Sequence, residues 1–484
     1  MMYRLSWLFV TLAFSSQINL GIAQSSFPDT VVSPASVQYN TSFLGRLIMG
    51  SNYRKVWATP VAMPVFDIKT NGFIIQELAG GMQTKSLRLL DKSKKEWVLR
   101  TVDKDAEGAL PKKFRLPFVV NFVQDMISAS HPYAALVVSD LAQATNIIAA
   151  KPRLYFVPDD ENLAPYRKVF ANTVCFLERR EPTPDSSETK STSKIMEEII
   201  EENDHLVLQE AVLNARLLDM LAGDWDRHAD QWRWGVVDLG APKYYYAIPR
   251  DRDQAFFWTN GLLPRFIRLF SMKHINGFRK QSKGLKNLNY KSWVFDKIFL
   301  NELDAHIWQR TIKEFQNKLT DDVIERAVKK LPKEVYAING AMLESRLKSR
   351  RNTLLEGAMK YYRFIAGTVD ISGTEEEELF EIKSNDNLLS ISVYRLKENR
   401  IRDKKIYERS FNAEDTRFIN LTGHGGNDHF VIAENISSEI KLKISGGSGK
   451  DIYELNGKIK TAVYDSLSDK NKITNKSKAK IFLN

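Results

Sequence analysis

The chain has 484 residues, 43% hydrophobic and 27% charged, which allows a sizeable buried core and excludes disorder as the main state. At roughly 100–200 residues per domain, it accommodates two to four domains. Its 70 Lys and Arg against 59 Asp and Glu leave +11, which suits an anionic partner without defining a nucleic-acid binder. The single cysteine, Cys175, excludes an internal disulfide framework and a cysteine-based zinc site.

In chain order, residues 1–23 read as a secretory signal. Arg4 precedes an apolar stretch from Leu5 to Ile22, and Gly21-Ile22-Ala23 offers the small residues a signal peptidase requires. Ser15, Ser16, Gln17 and Asn19 interrupt the stretch and argue against a retained anchor. No later run is long and apolar enough to cross a membrane. The expectation is therefore an exported protein, periplasmic, attached to an outer membrane or extracellular, with no transmembrane helix once the signal is removed.

Residues 40–180 mix short strands with one helix. Phe73-Ile74-Ile75, Ser86 to Leu90 and Trp97 to Val102 predict a three-stranded antiparallel meander, and Val119 to Ala129 a helix. Cys175 lies in the apolar run Val174-Cys175-Phe176-Leu177 and reads as a buried small hydrophobe. Residues 181–204, with Pro182, Pro184, Ser186 and Ser187 followed by acids, read as a flexible polar loop. Residues 205–368 are mainly helical, with Leu213, Leu217, Leu218 and Leu221 forming a stripe that ends at Gly223.

Residues 369–484 change to alternating strands and Gly-rich turns, an all-β domain. Two of its segments, Gly425-Gly426-Asn427-Asp428 and Gly446-Gly447-Ser448-Gly449-Lys450-Asp451, echo the Gly-Gly-x-Gly-x-Asp turns of calcium-binding parallel β-rolls. Such turns also simply join strands. The expectation is turns, with Ca²⁺ as the alternative.

Chemistry concentrates in residues 223–257. Gly223-Asp224-Trp225-Asp226-Arg227-His228-Ala229-Asp230-Gln231 follows the Leu-striped helix. A predicted hairpin then leads to Arg250-Asp251-Arg252-Asp253-Gln254-Ala255-Phe256-Phe257. Two acidic loops separated by two strands suit phosphoryl transfer, in which one carboxylate takes the hydroxyl proton while another, with an oxygen ligand, holds a metal on the phosphates. Asp-Arg runs of this kind also occur as surface salt bridges.

These motifs resemble the spore-coat (CotH-like) kinase family, in the form found in envelope proteins of Bacteroidota, and more distantly the secretory-pathway and HipA-type kinases. Gly80-Gly81-Met82-Gln83-Thr84-Lys85, followed by Trp97-Val98-Leu99, is similar to that family's nucleotide loop and its next strands. The resemblance, over residues 40–365, implies an α+β, bilobal kinase-like core with a small β-rich lobe (40–180) and a larger helical lobe (205–368), the C-terminal all-β domain following. It implies ATP and Mg²⁺ or Mn²⁺ as cofactors. Asp226 matches the catalytic aspartate, with Arg227 and His228 beside it. Asp251 and Asp253 match the metal acids, and Gln231 stands where the family has Asn, with Asp230 its neighbour. Gly80, Gly81, Gln83 and Thr84 would cover the phosphates. Lys85 or Arg100 would supply the phosphate cation, with Asp125 as its acidic partner.

Residues 254–295 contain no Asp or Glu but carry Arg265, Arg268, Lys273, Arg279, Lys280, Lys283, Lys286 and Lys291. Apolar residues between them predict an amphipathic helix able to take an acidic protein, a phosphorylated glycan or an anionic lipid over 265–291. Export argues against nucleic acid.

Overall fold

Leu87 and Leu89 alternate with Ser86 and Arg88, and this period of two turns one face of the segment into a core and the other toward the rest of the molecule. The computed structural model of the chain describes residues 27–483 apart from 80–83, 186, 239, 241, 271, 276 and 386–387. The N-terminal apolar run, Gly80, Gly81 and Gln83 thus lie outside the described residues.

A short helix, α1 (Phe43–Met49), starts on a Ser42 cap and buries none of its residues. The meander follows as β1 (Ile74–Ala79), β2 (Ser86–Leu90) and β3 (Glu96–Thr101). After α2 (Pro117–Ile127) and a second helix, Ala134–Ala144, come β4 (Arg153–Val157) and β5 (Thr173–Arg179). The five strands form one antiparallel sheet in the order β1-β2-β3-β5-β4. Leu87, Leu89, Leu99, Cys175 and Leu177 pack on one face with Phe66 and Phe170. Cys175 is fully buried there, and burial pushes its thiol up to about 12, so it is an inert core residue.

The 181–204 span is only half a loop. Its second half is the helix α3 (Thr192–Glu201), capped by Ser191, with Thr192, Ile195 and Glu198 buried. The acids mask an apolar stripe, and the Glu198 carboxylate is satisfied by Lys190 (2.7 Å) and the Tyr245 hydroxyl. Next, α4 (Gln209–Ala222) is buried on every side over its C-terminal half and stops at Gly223, whose φ of +68° needs no Cβ. An antiparallel hairpin of β6 (Trp232–Val237) and β7 (Lys243–Pro249) follows, with Trp232 and Trp234 packed on Phe295 and Phe299. The chain continues through α5 (Leu262–Phe270) and further helices to α6 (Leu354–Ala366), sharing one core with α4.

The C-terminal domain begins two residues after α6 with β8 (Thr368–Ser372). β9 (Glu378–Asn385), β10 (Leu388–Lys397) and β11 (Ile401–Phe411) form an antiparallel meander. From there the chain alternates between two sheets: β12 (Phe418–His424), β13 (His429–Ile432), β14 (Lys441–Gly447), β15 (Ile452–Leu455), β16 (Thr461–Asp465), β17 (Lys472–Thr474) and β18 (Ala479–Leu483). One sheet is β8-β12-β14-β16-β18, parallel throughout. The other is β11-β10-β9-β13-β15-β17, parallel from β9 onward. The two Gly-rich segments are therefore successive turns of a coil, stacked in register rather than closing hairpins. Phe380, Phe430 and Tyr453 stack ring on ring inside it, with centroids 4.5 and 5.3 Å apart.

This coil is fastened to the helical lobe. Asn203 Nδ2 donates to Glu378 Oε1 (2.8 Å), the Glu375 amide to the Ile200 carbonyl (2.8 Å), and Tyr407 Oη to the Asn301 carbonyl (3.0 Å). The expectation of an α+β chain with a β-rich lobe, a helical lobe and an all-β C-terminal domain matches this architecture.

Candidate active site

α4 ends in a rigid, buried turn, so the loop it launches has a fixed origin. Asp219, one turn from the end of α4, is fully buried. It meets Arg216 (2.7 Å), Arg252 (2.8 Å) and Arg227 (3.3 Å), and Arg216 also reaches Asp296 (2.8 Å). Burial works to raise the Asp219 carboxyl, but Arg227, Arg252 and Arg216 hold it below the usual range. Arg227 in turn donates to the carbonyls of Arg250 and Asp251 and to Gln231 Oε1 (3.0 Å). One guanidinium thus ties the 224–231 loop to the 250–253 loop, and Arg227, 1% exposed, is a positioning residue. The second loop is strained where it turns: Asp251 and Phe256 have φ of +53° and +61°.

Between these loops and the sheet lies a cavity of about 770 Å³. The sheet contributes Thr84, Ser86, Val98, Arg100 and Glu178; α2 contributes Phe122, Val123 and Met126. The loops contribute Trp225, Asp226, His228, Asp230, Gln231, Asp251 and Asp253. Arg100 Nη1 bonds Asp251 Oδ1 (2.7 Å), and its Nη2 approaches Glu178 Oε1 (3.7 Å). Lys104, itself buried, pairs with Asp253, and Lys291 pairs with Asp226 while lying 5.0 Å over the Trp225 ring.

These pairings set the charge states. Burial opposes ionisation of Asp251, yet Arg100 and Lys104 hold its carboxyl below the usual range. Burial and the neighbouring Asp251 push Asp253 up to about 6. Burial likewise pushes Asp224, beneath the loop, up to about 7. The two acids of Asp251-x-Asp253 are thus driven apart in proton affinity, a pattern typical of sites that bind or move charge.

The cavity holds oxygen donors of the kind Mg²⁺ or Mn²⁺ prefers: Asp251, Asp253 and the Gln231 amide. Mg²⁺ commonly takes one or two carboxylates and completes its shell from phosphates and water, so this set fits. Among the described residues, a group of at least three His, Cys, Asp or Glu ligands forms elsewhere, at Glu202, Asp204 and His205 beside Lys243.

Several expectations need correcting. Lys85 does not line the cavity, whereas its neighbours Thr84 and Ser86 do. Of the two candidate phosphate cations, Arg100 is the one in the cavity. Asp125 is not its partner, for Arg54 takes both Asp125 oxygens (2.8 and 2.7 Å). The basic stretch is not one helical surface either. α5 ends at Phe270, Arg268 and Lys291 turn into the cavity, and Lys286 covers the Phe364 ring (4.1 Å).

Lys104, Glu178, Trp225 and Lys291 were not singled out as cavity residues from sequence. Lys104 had a signal, lying four residues past Arg100 and three beyond the end of its strand. Lys291 lies 65 residues from its partner Asp226, and no local pattern links them.

No family model and no curated protein matches the chain. Solved structures do. A Helicobacter pylori proinflammatory kinase, CtkA, aligns at 11% identity over 61% of this chain and 99% of that one, with a TM-score of 0.34. The Golgi casein kinase aligns at 12% identity over 70% and 86%, with a TM-score of 0.31. HipA of a Shewanella oneidensis toxin–antitoxin complex aligns at 12% over 58% and 67%, with a TM-score of 0.29. The chemistry read above stands on the cavity's own residues.

Proposed function

We propose that the chain is an exported, kinase-like phosphotransferase of the CotH-like kind, using ATP with Mg²⁺ or Mn²⁺ to phosphorylate an envelope protein or glycan. The observation that carries this reading is that Asp226, Asp251, Asp253, Arg100, Lys104 and Lys291 face one cavity between the β-rich and helical lobes. Asp226 would accept the proton of an acceptor hydroxyl. The oxygen so freed attacks the terminal phosphorus, the bond to the bridging oxygen breaks, and ADP leaves. Asp251, Asp253 and Gln231 would hold the metal, whose part is to neutralise phosphate charge. Arg100 and Lys104 can release their carboxylates to the phosphates, and Lys291 can face the transferred group. Thr84 lies at the cavity's sheet side, and the apolar run Leu5–Ile22 supports export. Among the described residues no helix is long and apolar enough to cross a membrane.

The test is transfer from labelled ATP with Mg²⁺ or Mn²⁺, to the chain itself or to an acidic protein, beside Asp226→Ala and Asp251→Ala. Loss in both variants supports the reading, and mass spectrometry of the product separates phosphoryl from adenylyl transfer.

A second reading has its own observation. Each of Asp226, Asp251 and Asp253 already holds a protein cation, as a nucleotide-free scaffold would require. A pseudokinase serving as a binding or assembly module would show no transfer and no nucleotide-dependent rise in Tm.

For the C-terminal domain we propose Ca²⁺ at the coil's turns. The amides of Glu378, Asp428 and Asp451 each donate to the next rung's Asp428, Asp451 and Asn471 (2.8–2.9 Å), which leaves Asp428 Oδ2 and Asp451 Oδ2 buried without hydrogen-bond partners. Two stacked buried carboxyls call for a cation or a proton.

A further inference from the structure

Helices of soluble proteins turn their apolar stripe inward. α5 does the reverse. Pro264 is its one buried residue, while Leu262, Leu263, Phe266, Leu269 and Phe270 are exposed, Phe266 by 60% and Phe270 by 72%. α1 packs beside it, joined where the Ser51 amide donates to Asn260 Oδ1 (2.9 Å) and where Gly261 meets the Met49 backbone. α1 likewise exposes Phe43, Leu44, Leu47 and Ile48. A third element shares the pattern. The turn into α2 exposes Phe114, Leu116 and Phe118, and α2 lines the same cavity as Pro264 and Ile267 of α5. A monomer rarely leaves so many large apolar side chains on two packed helices bare without an occupant.

The charges select the occupant. Segments 43–55, 108–124 and 254–295 contain no Asp or Glu. They interleave Arg46, Lys112, Lys113, Arg115 and Arg265 with the apolar side chains. A second copy of the same face would set these cations against each other. Phe, Leu and Ile mixed with Lys and Arg is the composition that inserts shallowly among lipid headgroups and is drawn to anionic ones.

We infer that the α1–α5 face, with the turn from Lys112 to Phe118, docks on an anionic phospholipid bilayer and so sets the cavity mouth at the membrane surface. This holds whether or not the cavity transfers phosphate.

The test uses the full chain with Phe270→Cys carrying an environment-sensitive fluorophore, and Leu467→Cys in the C-terminal domain as the control. Both positions are exposed, and Cys175 is buried and does not label. A local probe reads this face separately from the N-terminal apolar run. With vesicles of phosphatidylcholine and about one-third phosphatidylglycerol, the label at 270 should shift to the blue and brighten severalfold, with far less response to phosphatidylcholine alone. The label at 467 should not change. Arg46→Ala with Arg265→Ala should weaken the response about 25-fold, at about fivefold per cation. Three results would overturn the inference: no change at 270 with either vesicle, an equal change at 467, or a shift without lipid that grows with protein concentration. The last would assign the face to a second copy.

Discussion

Asp219 is where the folded core and the candidate site meet, and removing its carboxylate tests both. In Asp219→Ala the guanidinium groups of Arg216, Arg227 and Arg252 stay buried while losing the acid 2.7–3.3 Å away. Breaking a buried ion pair by deleting one partner costs about 3–5 kcal/mol. Taking the two lobes as one cooperative unit of roughly 340 residues at about 2.1 cal/mol/K per residue, each degree of Tm corresponds to about 0.7 kcal/mol. The expected fall is therefore about 4–7 °C, read by scanning calorimetry at pH 7. Asp230→Ala is the control: its side chain is 96% exposed, and the shift should stay under about 1 °C. Acid should reveal the same group. Its folded-state carboxyl is held below the usual range, so its contribution is present above about pH 4 and lost as pH falls further. That acid limb should shrink in the variant. An Asp219→Ala chain melting within 1 °C of the parent would refute the claim that this carboxylate holds the three arginines and, through Arg227, the two loops.

Other predictions follow from the cavity and the coil. Lys85→Ala should leave nucleotide binding within about twofold of the parent, whereas Lys104→Ala should weaken it at least tenfold by calorimetry, since a lost charged hydrogen bond costs about 1.5–3 kcal/mol. Because Asp253 must lose its proton to take a metal and its carboxyl sits at about 6, Mn²⁺ affinity should rise up to tenfold per unit below pH 6 and level off above about 7. Asp253→Asn should flatten that profile. In the C-terminal domain, burial pushes Asp428 up to about 9 and Asp451 to about 6. A carboxyl raised on folding favours the folded state below about pH 4, and that preference is lost as pH climbs through the raised value, so without Ca²⁺ the domain should lose stability toward alkaline pH. Added Ca²⁺ should restore the Tm, a chelator should reverse the effect, and Asp428→Asn should abolish it. An unchanged melt with chelator would refute the calcium reading.

What could be read from the residues alone depended on how local each signal was. The β1–β3 meander was legible because Leu87 and Leu89 alternate with polar neighbours, and the end of α4 because Leu213 to Leu221 run into Gly223. α3 was not, because its acids outnumber the Ile195 and Ile199 stripe that anchors it. In the coil, two rungs announced themselves by glycine. Gly446 is required because a Cβ there would collide with Asp451 Oδ2. The rungs at Glu378 and Asn471 take part through hydrogen bonds without that spelling, so the stacking was hidden. At the site, Asp226, Asp251 and Asp253 stand in compact motifs and line one cavity. The burial of Arg227, the capture of Asp125 by Arg54 and the meeting of Asp226 with Lys291 arise between segments distant in the chain, and no spacing rule encodes them.

The join between α6 and β8 has a mechanical consequence. Domains hung on a flexible linker raise the local concentration of whatever they hold and leave its orientation free. Here the helical lobe passes into the coil with Gly367 alone between α6 and β8, and Asn203, Asn301 and Ile200 fasten the two together. Anything the coil bound would therefore be held at a fixed orientation to the helical lobe. The C-terminal domain is thus mounted as a ruler is, not as a leash.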